Sequence, residues 1–158
     1  MLSAEEMELE SKRILVNRWA LPVLMSSILS NPGIGWGANG EVPMEIHGAK
    51  TISAEQLVDE VVAQYPDLVM IDARMQGDRD QGYIEGSVSL PDSATDCDRL
   101  TEIIPSHDTP TMFYCNGVKC ERSSNAISKA VGCGYKQIYW LRGGFNEWKS
   151  KGFPYLNE

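Results

Sequence analysis

The chain has 158 residues, enough for one domain with a proper core and too few for two comfortable ones. Hydrophobic residues make up 42% and charged residues 23%, the balance of an ordinary globular protein. Acidic side chains outnumber basic ones 22 to 14, a formal charge of −8, which argues against nucleic acid as the partner because phosphate binding needs clustered Lys and Arg.

Residues 1–44 read as a segment apart from a domain at 45–158. Glu5, Glu6, Glu8 and Glu10 precede Lys12, Arg13 and Arg18, and the apolar stretch Trp19–Leu29 follows. That stretch is far short of the roughly twenty residues a membrane-spanning helix needs, so no stable membrane span is expected. Basic residues, a short apolar run and small residues after it match a secretory signal peptide, which would make the protein periplasmic or otherwise exported. A docked amphipathic helix on a cytoplasmic protein is the alternative, and both stay open. Gly33–Gly40 reads as a linker, and residues 1–37 are expected to be dispensable for the fold.

From Lys50 onward, short apolar runs alternate with helical patterns. Thr51–Ser53 is a brief strand, and Ser53 with Gln56 makes a capping box opening a helix. Leu57, Val58, Val61, Val62 and Tyr65 recur at helical spacing and predict one apolar face. Leu68–Ile71, Ser87–Leu90, Thr111–Tyr114 and Gln137–Leu141 are strand candidates, three of them continuous apolar runs of the kind covered on both faces. Helices are expected at Asp98–Ile104, Ser123–Val131 and Phe145–Lys151, the last stopped by Gly152 and Pro154. Strands alternating with helices imply an α/β domain of three layers, a mainly parallel five-stranded sheet flanked by helices. Ligands bind such sheets at the carboxyl ends of the strands, where Asp72 and Cys115 sit.

Cys97, Cys115, Cys120 and Cys133 lack the paired knuckles of a zinc site, and His47 and His107, in turn-like surroundings, add no ligand pattern; no metal is expected. Cys97 and Cys133 read as buried, inert thiols. Cys115 is different. It ends an apolar strand, and a helix begins about eight residues later. The connection through Asn116, Gly117, Val118, Lys119, Cys120, Glu121 and Arg122 is short enough for its amides to curl around the thiol. Inward N–H groups near a helix N-terminus cradle an anion and favour thiolate over thiol. Lys119 and Arg122 add positive charge against Glu121, the Arg fork suits an oxyanion, and Asn116 and Ser123 are further donors. Cys120 is either a resolving thiol for Cys115 or a small residue packing the loop. Asp72 is assigned a structural part near the site, paired with Arg74. Arg74 is a weaker candidate for the substrate pocket, and Trp148 is a core anchor.

At these residues the chain resembles the rhodanese family of thiosulfate sulfurtransferases, over roughly Lys50 to Pro154. The family's Asp-x-Arg strand end is matched by Asp72-Ala-Arg74. Its Gly-His-Ile-Pro-Gly-Ala motif is matched loosely by Gly82-Tyr-Ile-Glu-Gly-Ser87, and its Gly-Gly-x-x-x-Trp-x-x-x-Gly-x-Pro signature by Gly143 to Pro154. The loop is longer than the usual Cys-x-x-x-x-Arg, with six residues between Cys115 and Arg122. It looks like a subgroup with Cys-Asn-Gly-x-x-Cys-x-Arg-Ser loops. The resemblance implies a rhodanese-like fold and a cofactor-free ping-pong reaction. In that reaction Cys115 takes sulfane sulfur from a small anionic donor such as thiosulfate, or from a persulfide. The Cys115 persulfide then passes it to a thiol or to cyanide. Two alternatives remain: a Cys115/Cys120 thiol oxidoreductase or arsenate-reductase-like enzyme, and a non-catalytic module that carries or senses sulfur.

Overall fold

The structure is a computed structural model that describes residues 42–157. The expectations for the N-terminal segment, its apolar stretch and the Gly33–Gly40 linker lie outside the described residues. Strand β1 is Ala49–Ile52. Ser53 caps the next helix as expected: its hydroxyl accepts from Gln56 N (3.2 Å), and the Gln56 side chain accepts from Ser53 N (3.0 Å). Helix α1 then runs Ala54–Gln56, Leu57–Val61 and Val62–Gln64, and its middle section is wound as a π-helix. The Val62 N–H bonds back to the Leu57 carbonyl across this wider turn. The expected single apolar face is therefore split, with Leu57 and Val61 buried and Val58 and Val62 exposed.

The remaining elements are β2 Val69–Asp72, α2 Gln76–Arg79, β3 Val88–Ser89, α3 Cys97–Ile103, β4 Thr111–Tyr114, α4 Arg122–Gly132, β5 Ile138–Leu141 and α5 Gly144–Ser150. The five strands form one sheet in the order β1-β5-β4-β2-β3, and every described pairing is parallel. The α/β expectation holds, and the sheet is wholly parallel rather than mainly so. Parallel neighbours need crossovers, and the helices supply them while covering both faces.

Alternation along β4 divides the core in two. Phe113 points to the side of Leu100, Ile104, Ala126, Ile127 and Trp140, under α3 and α4. Met112 and Tyr114 point to the side of Leu57, Val61, Phe145 and Trp148, under α1 and α5. All four residues of β4 are buried. Each such large apolar side chain removed from water contributes about 1.5–3 kcal/mol. The strand thus sits between layers, and the chain reaches the surface beyond its ends. No helix among the described residues is long and apolar enough to cross a membrane.

One cysteine expectation is corrected here. Cys97 and Cys133 are not separate inert thiols but form a disulfide, with the two positions 36 apart in sequence and their Cα atoms 5.5 Å apart. Cys97 opens α3 and Cys133 caps the end of α4. The two helices pack side by side, and that adjacency, invisible in the spacing, brings the sulfurs together.

Candidate active site

Cys115 follows β4 directly and is 1% exposed. Its carbonyl accepts from Phe145 N (2.8 Å), and the Asn116 carbonyl accepts from Asn146 N (2.9 Å), so the loop leaving β4 is tied to the start of α5. That approach requires Gly144. Its φ is +59°, and a Cβ there would strike the Cys115 carbonyl oxygen and lie 2.8 Å from Gly117 N. Gly117 is pressed from the same side, where a Cβ would stand 3.1 Å from Asn146 Nδ2. The Gly143-Gly144 pair therefore acts at the site, as a seat for the cysteine loop.

Within the loop, Cys120 N donates to the Gly117 carbonyl (2.9 Å), a turn that brings Cys120 back over Cys115. Cys115 Sγ donates to the Cys120 carbonyl at 3.1 Å. From the other side, Ser123 Oγ donates to Cys115 Sγ at 3.2 Å, and the Ser123 backbone N–H also faces the sulfur. Trp140 Nε1 donates to the same hydroxyl at 3.0 Å. An indole N–H can only donate, so Ser123 Oγ must accept from it and turns its own proton toward the sulfur. The strand residue Trp140 thereby aims the serine.

These contacts bear on which of the two sulfurs holds charge more easily. The Cys115 thiol is pushed up, by its hydrogen bond with Cys120 first and by burial second, with Ser123 opposing. Cys120 is lowered to about 6, first by the Cys115 hydrogen bond, with burial opposing and the Asn116 and Arg122 amides and the Arg122 charge assisting. The two sulfurs titrate as a pair, and these contacts favour charge on Cys120 over Cys115. The long loop folds a second thiol against the amides that the sequence assigned to the first.

Other candidates separate. Arg122 begins α4, but its Nη1 lies 3.1 Å from Asp78 Oδ2 on α2, with both side chains about one-third exposed (37% and 33%). Its fork is engaged by protein, and it acts on the site through its charge and its amide. Val118, Lys119 and Glu121 are exposed on the loop's outer side, and Asn116 is half-buried.

Arg74, a weaker candidate for the pocket, is buried, 1% exposed. Its Nε and Nη2 donate to the two Asp72 carboxylate oxygens at 2.8 and 2.6 Å, and Nη2 also donates to the Gly82 carbonyl at 2.8 Å. The guanidinium lies 4.4 Å from the Phe145 ring centre and 5.4 Å from that of Tyr114. Nothing of it is left to meet a substrate. Asp72 also accepts from Tyr114 Oη (2.9 Å) and Arg79 Nη1 (3.3 Å), so its assigned structural part holds. Burial, then the Asp72 charge, pushes the Tyr114 hydroxyl up to about 12. Trp148 anchors α5 as expected, its indole donating to the Pro154 carbonyl at 2.8 Å. His47 and His107 are exposed in turns.

The Trp140–Ser123 tether was missed from sequence. Its only trace was a lone indole on the strand next to β4.

Compared with known proteins, residues 53–151 match the model of the rhodanese-like domain. No curated protein matches the chain. Among solved structures, the BH2092 protein from Bacillus halodurans is 18% identical with a TM-score of 0.61, covering 68% of this chain and 77% of that one. The rhodanese-like domain of the Anabaena Alr3790 protein is 22% identical with a TM-score of 0.59, covering 68% and 79%. A thiosulfate sulfurtransferase from Pseudomonas aeruginosa is 22% identical with a TM-score of 0.55, over 69% of this chain but only 20% of that one. At these identities the likeness is one of fold.

Proposed function

The chain belongs to the rhodanese-like domain family, and we propose that it is a sulfurtransferase in which Cys115 carries sulfane sulfur as a persulfide. One observation carries the reading: a buried sulfur at the carboxyl end of the central strand faces both the hydroxyl and the N–H of Ser123. Donors aimed at a sulfur stabilise the negative charge that appears when the thiol ionises and again when a persulfide forms.

In the first half-reaction Cys115 thiolate attacks the outer sulfur of thiosulfate. The new S–S bond forms as the bond to the SO3 group breaks, and its electron pair leaves with sulfite. In the second, cyanide or a thiolate attacks the outer sulfur of the persulfide and returns Cys115 as thiolate. A persulfide donor enters by the same path, with a thiolate leaving in place of sulfite. The exposed Lys119 and the half-exposed Arg122 at the loop's mouth suit an anionic donor.

The Cys97–Cys133 disulfide supports export as the setting, since such bonds persist in oxidising compartments and are rare in reducing ones. Thiocyanate formation from thiosulfate and cyanide tests the function. Cys115→Ser is expected to lower turnover by at least about a thousandfold, as loss of a covalent nucleophile does. A non-catalytic carrier would form no thiocyanate in either protein, and full activity in the variant would move the nucleophile elsewhere.

A further inference from the structure

Cys120 sits where it can act on the persulfide itself. The Gly117–Cys120 turn folds it back over Cys115, both thiols are free, and Cys115 Sγ reaches the Cys120 backbone carbonyl at 3.1 Å. A nucleophile meeting a persulfide has two targets. Attack on the outer sulfur hands that sulfur on, and attack on the inner one, Cys115 Sγ, expels it as hydrosulfide. Cys120 already lies against Cys115 Sγ, the inner sulfur, through its backbone carbonyl. The leaving groups agree with this direction: hydrosulfide is a better one than a Cys115 thiolate destabilised by burial. Resting on the sulfurtransferase reading, we propose that Cys120 resolves the Cys115 persulfide within the same chain, releasing hydrosulfide and leaving a Cys115–Cys120 disulfide that a dithiol reductant reopens.

The steps balance. The reacting form is the pair with one proton, Cys115–SH beside a Cys120 thiolate. As Cys115 attacks thiosulfate, its proton passes to Cys120, giving Cys115–S–S⁻, Cys120–SH and sulfite. The Cys120 sulfur then bonds to Cys115 Sγ while the bond to the outer sulfur breaks. The proton from Cys120 goes to the leaving sulfur, which departs as HS⁻. Two electrons reduce the sulfane sulfur, and the two thiols supply them by becoming a disulfide. A dithiol attacks that disulfide, leaves as a cyclic disulfide and restores the pair. The physiological acceptor class is therefore a dithiol protein or small dithiol, with thiosulfate and dithiol converted to sulfite, hydrosulfide and oxidised dithiol.

The test uses the full chain, reduced, freed of reductant and mixed with thiosulfate without oxygen, thiol or cyanide. Wild type is expected to release one equivalent each of sulfite and sulfide per chain. After digestion, the fragment ending at Lys119 should stay joined to the one beginning at Cys120, a linkage that Cys97 and Cys133 cannot mimic. Cys120→Ser, lacking that proton acceptor, should release sulfite more slowly, retain an adduct of about 32 Da (one added sulfur) and release no sulfide. Sulfite release with a stable adduct on wild type and no sulfide would overturn the resolving step and leave the transferase reading standing. Equal sulfide from Cys120→Ser would overturn it too. Absence of sulfite from wild type would instead count against the transferase reading beneath it.

Discussion

Ser123 makes the difference between a packed cysteine and a usable one. Its hydroxyl accepts from Trp140 Nε1 and donates to Cys115 Sγ, so one side chain links the core to the sulfur. Ser123→Ala should therefore have two effects. The buried indole N–H loses its acceptor, at a cost of about 1–3 kcal/mol. The Cys115 thiolate loses a donor, so its ionisation moves to higher pH and sulfur transfer at neutral pH falls roughly ten- to a hundredfold. The sign follows from the contact: removing a group that favours the charged form raises the pKa. A pH–rate profile checks it, and a profile unmoved or shifted to lower pH would mean the hydroxyl serves only the tryptophan. The nucleophile, its strand and the neighbouring Cys120 were legible in the sequence because they lie within a few residues of one another. The bias of charge toward Cys120 was not, since it depends on which way the loop's carbonyls and amides turn. Arg74 stayed open between two parts for a related reason. An Arg two residues beyond a strand end has the reach of a pocket residue, and only the Asp72 carboxylate beside it decides that it turns inward.

At the scale of elements, the strands and long helices followed from apolar runs, caps and glycine stops, with boundaries within about two residues. The exceptions are physical. The π-helical turn at Leu57–Val61 is a choice of backbone hydrogen bond that side-chain spacing does not encode. The short α2, Gln76–Arg79, has no periodic pattern to show, yet it supplies the Asp78 that holds Arg122. The Cys97–Cys133 bond depends on α3 lying beside α4. That bond ties the far end of α4, the helix whose first turn carries Arg122 and Ser123. Closing 36 residues contributes about 3–4 kcal/mol in a chain-entropy account. Replacing Cys97 and Cys133 with Ala should lower the thermal midpoint on the order of 10 °C, with the Cys115 chemistry retained below the new transition. An unchanged midpoint would show that the helices hold each other without the link.

Across the whole domain, a parallel sheet buried on both faces gathers its strand ends along one edge, and the functional chemistry collects there. Asp72 and Tyr114, paired in register on β2 and β4, knot that edge together with Arg74 and Arg79. Cys115 continues from it into the loop that α5 seats and α4 completes. The architecture was legible because every level agreed, from capping box to strand alternation to the order of motifs. The site's inner wiring was not, because it joins residues from four separate elements. The central claim is that Cys115 takes the outer sulfur of its donor. Its most direct measurement mixes Cys120→Ser protein with thiosulfate whose outer sulfur is isotopically labelled, then maps the label by fragment. The account predicts label on the fragment carrying Cys115 and release of unlabelled sulfite; label on no fragment, or on one carrying Cys97 or Cys133, would contradict it.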